Sequence, residues 1–205
     1  MNKIKIGIMG AGRGIDIAKN LMLLDCRIVA LCEFSKERAE EGVEKLGVDV
    51  PVFKEFDDFI EQEMDAVVLA NYFHEHTPYA IRCFEKGIHV YSECISNGTM
   101  AEGVELVRAF EKSNSVYMLA ENYPQMKFNR EMKRVCDGGT LGKIVYAEGE
   151  YNHPTDPKDT SFAKDFIYFA EHWRNYLPRT YYVTHSRGPI MWATGATPKR
   201  VTAFS

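Results

Sequence analysis

The chain has 205 residues, 45% hydrophobic and 26% charged, which suits a soluble globular protein with one full core and part of another. A formal net charge of −4 gives no reason to expect nucleic acid or an anionic membrane as a partner. The N-terminus runs straight into a strand pattern, no stretch is long and apolar enough to span a bilayer, and a cytoplasmic location is expected.

Ile4, Ile6 and Ile8 with Met9 predict a short buried strand. The glycine cluster Gly10-Ala11-Gly12-Arg13-Gly14-Ile15 breaks it, and Ile15, Ala18, Leu21 and Leu24 then recur at helical spacing. Strand, glycine turn and helix in that order is the context a dinucleotide needs: the backbone comes close to the pyrophosphate and the helix N–H groups face its charge. The third glycine position of the fingerprint holds Ile15, and Gly14 sits one residue early, so a tight turn without a ligand is the alternative. Residues 27–32 predict a second strand ending at Glu33, about 20 residues past the glycines, where a carboxylate accepts both ribose hydroxyls of an adenosine. It would repel a 2′-phosphate and so favours NAD over NADP, a preference that Lys36 and Arg38 nearby soften. A solvated loop acid is the bland alternative for Glu33.

Residues 35–46 have helical spacing, 50–53 read as a short strand and 57–61 as a short helix. Residues 65–70 form a strand that is wholly apolar after Asp65, as in a parallel sheet covered on both faces. Thr77 and Pro78 open the next helix and Gly87 closes it. Residues 88–91 are a fifth strand, Thr99-x-x-Glu102 is a capping box for a helix running to about Ser113, and residues 116–119 are a sixth strand. Six strands alternating with helices predict a doubly wound parallel sheet, an α/β fold in the order 3-2-1-4-5-6. A ligand crevice is then expected at the strand ends: residues 10–14, Glu33, 71–74, 93–96 and 121–123.

The pattern changes near Phe128. A helix is expected over 128–136, ended by Gly138-Gly139, and residues 143–152 alternate as a half-exposed antiparallel strand. Residues 152–164 read as loop, residues around 184–194 as helix, and 200–204 as a strand. Two strands do not make an independent sheet, so residues 123–205 are expected to be the truncated start of an α+β open-sheet domain following a dinucleotide domain at 1–122. Cys26, Cys32, Cys83, Cys94 and Cys136 are odd in number and widely spaced with no C-x-x-C, so reduced buried thiols are expected. No metal is expected either, because His74-Glu75-His76 lacks a third ligand.

Several pieces in series resemble the Gfo/Idh/MocA family of nicotinamide-dependent, mostly sugar-acting oxidoreductases. They are Gly10-Ala11-Gly12, Glu33, the apolar strand 65–70, Asn71-x-x-His74, Gly87-Ile88-His89-Val90 and Gly142-Lys143-Ile144. The resemblance implies a Rossmann domain followed by an open sheet, a carbohydrate substrate, and a homo-oligomer paired through that sheet. The family carries Glu-Lys-Pro after the fifth strand, its lysine assisting proton transfer; here the triplet is Glu93-Cys94-Ile95, and the lysine is gone. A branch of NAD-dependent glycosidases of the α-N-acetylgalactosaminidase type also lacks it. That branch resembles this chain at residues 119–122, 147–151 and 182–189 (Tyr-Val-Thr-His-Ser-Arg-Gly-Pro).

By carry-over, Glu121, Tyr151, Tyr182 and His185 become site candidates, with His185, Tyr182 and Tyr151 as the catalytic groups. Hydride loss from a sugar carbon needs a base for the hydroxyl proton, and a histidine changes charge near neutral pH. Asn71, His74, Glu93, Glu121 and Asn122 join the glycine turn (Gly10, Ala11, Gly12, Arg13, Gly14, Ile15) and Glu33 as expected cofactor contacts. Core or loop packing is the alternative for the two histidines, aromatic packing for Tyr151, and a lysine partner for Glu93. Three functions follow: a sugar or cyclitol dehydrogenase, an NAD-dependent glycosidase working through transient oxidation at C3, and a nucleotide-binding module without catalysis.

Overall fold

The computed structural model describes residues 3–152 and 179–204, which fall into two compact units, Met1–Ala120 and Glu121–Ser205. The first unit runs β1 (Ile4–Met9), α1 (Arg13–Met22), β2 (Cys26–Cys32), α2 (Lys36–Leu46), β3 (Val52–Phe53), α3 (Phe56–Phe59), β4 (Ala66–Leu69), α4 (His76–Glu85), β5 (His89–Ser92), α5 (Met100–Glu111) and β6 (Tyr117–Leu119). Every strand pairing is parallel, in the order β3-β2-β1-β4-β5-β6. The expected doubly wound sheet, a Rossmann fold, is therefore present.

A parallel sheet persists only when both faces are dry, and the strand side chains divide accordingly. Ile6, Ile8, Ile28 and Val68 point into one apolar cluster with Ile15, Ala18 and Leu46 of α1 and α2. Met9, Val67, Leu69 and Val90 point into the other with Phe56, Phe59, Cys83, Phe84 and Leu106 of α3, α4 and α5. The helix signals hold in detail. Ser35 Oγ accepts the Arg38 N–H at 3.4 Å. Thr99 and Glu102 exchange bonds of 3.2 and 2.7 Å as a complete capping box. The differences are small: α1 stops at Met22, which leaves Leu24 64% exposed, and α4 begins at His76, one residue before Thr77.

The second unit holds a 3-10 turn (Tyr123–Gln125), α6 (Lys127–Asp137), a second 3-10 turn (Arg179–Tyr182) and α7 (Val183–Thr194). Helix α6 ends at Gly138 as expected and packs against α7, with the Lys133 ammonium 5.3 Å from the Trp192 ring centroid. Residues 143–152 and 200–204 carry no strand ladder. Their alternation is real, but a strand exists through its neighbour, and no described segment pairs with either. Val145 is 88% and Tyr146 76% exposed, so neither face is covered at those two residues. Gly149 is the point where it meets α7, since a Cβ there would lie 2.4 Å from the Ser186 carbonyl oxygen. Past Asn152, the loop expected over 152–164 lies outside the described residues. No helix among those residues is long and apolar enough to cross a membrane.

All five thiols are free. Burial pushes Cys32 and Cys83 up to about 12, so both stay protonated at neutral pH. A thiol reagent applied to native protein should label Cys136 first, with Cys26, Cys32, Cys83 and Cys94 (8, 4, 0 and 6% exposed, respectively) reacting only on unfolding; peptide mass mapping of the adducts checks this. Urea unfolding should show that Thr99→Ala costs about 1 kcal/mol through loss of the cap.

Candidate functional site

The glycine turn after β1 is stitched to both neighbouring strands. The Gly10 N–H donates to the Cys32 carbonyl at 2.9 Å, and the Ala70 N–H donates to the Met9 carbonyl at 2.8 Å. Gly10 has φ +97°, and a Cβ on it would lie 2.3 Å from the Ala70 oxygen, so only glycine fits. At Gly12, by contrast, a Cβ would meet nothing within 4 Å. Gly12 also caps α1 without any side-chain hydrogen bond to the helix, and the first-turn N–H groups that a helix leaves over are what an anion uses. Gly14 does a different job: a Cβ there would lie 2.7 Å from Ile8 Cγ2. It is the close helix–strand contact that a third fingerprint glycine makes, displaced by one residue. The Ile15 side chain is 2% exposed in the core, and its N–H bonds the Gly12 carbonyl at 3.1 Å, so it serves the turn's shape.

Glu33 is 7% exposed at the end of β2. One carboxylate oxygen accepts the Ala11 N–H at 2.9 Å and the other the Ser35 N–H at 3.0 Å. A carboxylate has about four acceptor directions, so two remain for hydroxyls. It is therefore a fixed acceptor tied to the glycine turn, not a solvated loop acid. Two rings stand nearby: Phe34 and Tyr72 are 56% and 39% exposed with centroids 5.7 Å apart. Tyr72 lies within the crevice segment expected at 71–74; sequence reasoning missed Phe34, for which the available signal was an aromatic directly after the strand-end acid. A groove of about 730 Å³ adjoins Glu33, lined by Phe34, Lys36, Val43, Val50 and Val52, and Lys36 there stands 3.8 Å from Glu40.

At the end of β4, Asn71 Nδ2 donates to the Tyr72 carbonyl at 3.4 Å, while its Oδ1 is buried and makes no hydrogen bond. His74 lies with its ring 6.4 Å from that of Tyr72, nearly parallel. At the end of β5, Glu93 bonds Arg13 Nε at 2.8 Å and its own neighbour's N–H, that of Cys94, at 2.9 Å. The hydrogen bond to Glu93 raises the Arg13 pKa further, so the guanidinium stays charged at any ordinary pH. Glu93 is thus partnered by an arginine and not by a lysine. The Cys94–Ile95 peptide is cis. His76, set aside in the sequence, is wholly buried, with Nδ1 2.9 Å from the Ile95 carbonyl.

These features fit a dinucleotide. An uncapped helix start faces an unfilled space at Gly12, a buried carboxylate has acceptor capacity to spare, and the Asn71 Oδ1 is a buried acceptor in need of a donor.

In the second unit the predicted residues gather around His185, in the first turn of α7. Its Nδ1 lies 2.9 Å from Glu121 Oε2, and the other Glu121 oxygen accepts the Tyr123 N–H at 3.0 Å. Three tyrosine rings surround the imidazole: Tyr123 at 4.4 Å, Tyr151 at 4.7 Å and Tyr182 at 4.4 Å between centroids. Tyr151 and Tyr182 stack on each other at 5.1 Å. Tyr182 precedes α7, so the contact comes from the turn into the helix and not from one helical face. His185 and the Glu121 side chain are only 8% and 11% exposed. With Nδ1–H committed to a carboxylate, Nε2 is the nitrogen that can take a proton. Glu121, expected at the cofactor, is engaged by His185. Asn122 is not brought to the cluster; its carbonyl accepts the Gln125 N–H at 3.0 Å. Tyr123, placed by the sequence at the end of the expected crevice without a role, forms one wall of this cluster.

Known proteins can now be set beside this geometry. The chain is 27% identical over 202 residues to a glycosyl hydrolase family 109 protein of Saccharopolyspora erythraea, covering 91% of this chain and 43% of that one. It is 27% identical over 143 residues to a myo-inositol 2-dehydrogenase of Thermotoga maritima, covering 68% and 42%. The fold matches the scyllo-inositol dehydrogenase of Lactobacillus casei, solved with bound NAD(H) and scyllo-inositol. The TM-score is 0.64 at 24% identity, over 70% of this chain and 43% of that one. The chain therefore spans less than half the length of the curated relatives it matches. The Gfo/Idh/MocA family model, described as an oxidoreductase family with an NAD-binding Rossmann fold, matches residues 4–121, more than half of the sequence, and the chain belongs to that family.

Proposed function

We propose that this chain holds NAD, in preference to NADP, on the turn after β1, and serves the oxidation of a sugar or cyclitol hydroxyl carbon. The observation that carries the proposal is Glu33. A buried carboxylate whose two oxygens already grip Ala11 and Ser35 is pre-set to accept a pair of ribose hydroxyls and to repel a 2′-phosphate. The open face of Gly12 at the uncapped start of α1 takes the pyrophosphate. A bound nicotinamide supplies the hydride acceptor. The chain's own contribution to proton movement is the His185–Glu121 pair: Glu121 holds the tautomer and steadies the positive charge, and His185 Nε2 accepts the hydroxyl proton. The phenols of Tyr151 and Tyr182 offer hydrogen bonds and a flat stacking face to a sugar. Residues from Glu121 onward are then part of a substrate-binding half, and pairing of that half between copies belongs to the same proposal.

A second reading, NAD-dependent glycoside cleavage, is favoured by two observations. The Glu93-Cys94-Ile95 triplet lacks the lysine that the dehydrogenases of the family carry, and the glycosyl hydrolase family 109 relative aligns over 91% of the chain. In that reading a ketone formed at C3 acidifies the C2 proton, the C1 leaving group departs, water adds, and the hydride returns, so that no paired glycosidase carboxylates are needed.

Calorimetry should give tighter binding of NAD than of NADP to the wild-type chain. Glu33→Gln should move that preference toward NADP by about tenfold, or ~1.4 kcal/mol; an unchanged ratio removes Glu33 from the ribose site. Gly12→Val should abolish NAD binding while leaving the urea midpoint in place, because the added side chain meets only open space. Incubation with NAD, a panel of free sugars and a set of chromogenic glycosides separates the two activities. Net NADH indicates the dehydrogenase. Aglycone release with no net NADH, and with solvent deuterium at C2, indicates the glycosidase. His185→Ala should suppress whichever is found by about 10²–10⁴-fold without changing the NAD affinity.

A further inference from the structure

His76 performs no chemistry in the scheme above and has no access to solvent. It is the first residue of α4 and 0% exposed. Its Nδ1 lies 2.9 Å from the Ile95 carbonyl oxygen, which can only accept, so Nδ1 carries the proton. Burial lowers the His76 pKa and keeps the ring neutral, in keeping with a single donated bond. The next residue repeats the contact: Thr77, 1% exposed, donates its hydroxyl to the Ser96 carbonyl at 2.9 Å. Two adjacent buried side chains from the first turn of α4 thus hold two consecutive carbonyls of the loop after β5.

What that loop carries is Glu93. Its carboxylate folds onto the loop's own backbone at the Cys94 N–H, 2.9 Å, and reaches Arg13 Nε, 2.8 Å, on the first residue of α1. The position of the 93–96 backbone therefore sets where Arg13 is anchored, and Arg13 stands beside the open face of Gly12. An apolar residue of similar size at position 76 would fill the core equally well but would leave the Ile95 carbonyl without its donor.

We infer that His76, seconded by Thr77, is a positioning residue for the dinucleotide site: it holds the 93–96 loop so that Glu93 fixes Arg13 at the start of α1. The inference rests on the dinucleotide reading of the first unit. It adds a residue outside the fingerprint whose loss weakens binding of the dinucleotide without touching it.

The test is calorimetric titration of NAD into the 205-residue chain and its variants, with urea unfolding of each ligand-free protein alongside. His76→Leu should bind NAD about tenfold more weakly. His76→Asn, whose side-chain amide can donate where the ring Nδ1–H did, should recover most of the affinity. Glu93→Gln should weaken binding to a similar degree, and His76→Leu combined with Glu93→Gln should be no worse than either alone, because both break one chain of contacts. A folded His76→Leu that binds as the wild type does overturns the inference. So does an asparagine variant no better than leucine, or losses that multiply in the double variant. Should His76→Leu fail to fold, the near-isosteric Thr77→Val decides: binding about threefold weaker supports the role and unchanged binding overturns it. A wild-type chain that binds neither NAD nor NADP brings down the dinucleotide reading itself, and this inference with it.

Discussion

The close seating of α1 on the end of β1 is the constraint on which the first unit depends. Two glycines permit it from opposite ends of one turn. Gly10 takes a left-handed φ of +97° under the Ala70 carbonyl, and Gly14 leaves room for Ile8 Cγ2 where a Cβ would stand 2.7 Å away. Widen either contact and α1 lifts from the sheet, taking with it the uncapped helix start and the N–H of Ala11 that Glu33 grips. Because all six strands are parallel, their carboxyl ends share one edge. Glu33 after β2, Asn71 after β4 and Glu93 after β5 therefore arrive at that edge with no special loop design. A site at this edge is a consequence of strand direction, and the glycines decide only that a backbone can come near enough to use it.

The second unit solves a separate problem by the same means of local crowding. An imidazole needs one nitrogen fixed before the other can act in a defined way. Glu121 fixes Nδ1 at 2.9 Å, and its remaining oxygen is held by the Tyr123 N–H, so the carboxylate cannot swing away. Asn129, 3% exposed on α6, donates to the Tyr123 carbonyl at 2.7 Å and steadies that residue in turn. Three tyrosine rings exclude water from the imidazole, and each contact gains strength in the drier surroundings. Pro189 lies four residues beyond His185 in α7, so the helix lacks the backbone N–H that would otherwise bond the His185 carbonyl.

Most of the first unit was legible because its signals are local and redundant. Apolar runs marked the strands, Ser35 and Thr99 marked helix starts, and Glu33 stood where a second strand ends. Gly14 was harder: the fingerprint counts residues, whereas the contact depends on which Cα faces Ile8, and a one-residue offset in the turn hides it from a spacing rule. His74 and His76 could not be told apart by sequence, since the start of α4 decides which of the two is turned inward, and helix starts are uncertain by a residue or two. The strands expected at 143–152 and 200–204 failed for the opposite reason. Alternation is a property of one segment, but a ladder is a property of two, and no described neighbour completes it. The His185 cluster was found through resemblance alone; nothing in the spacing of Glu121, Tyr151, Tyr182 and His185 brings them together.

The loop after β5 is held in place by side chains outside it. Where the resemblance implies a lysine, this chain has Cys94, which is 6% exposed and flanked by Glu93 and Ile95. Yet the backbone around it is held at two successive carbonyls by His76 and Thr77, and Glu93 still engages Arg13. The brace suits the proposed task of this loop, shaping the dinucleotide site, with proton transfer assigned in that proposal to a group elsewhere in the chain. In the proposed reading that transfer falls to His185, whose Nδ1 lies 2.9 Å from Glu121 among three tyrosine rings.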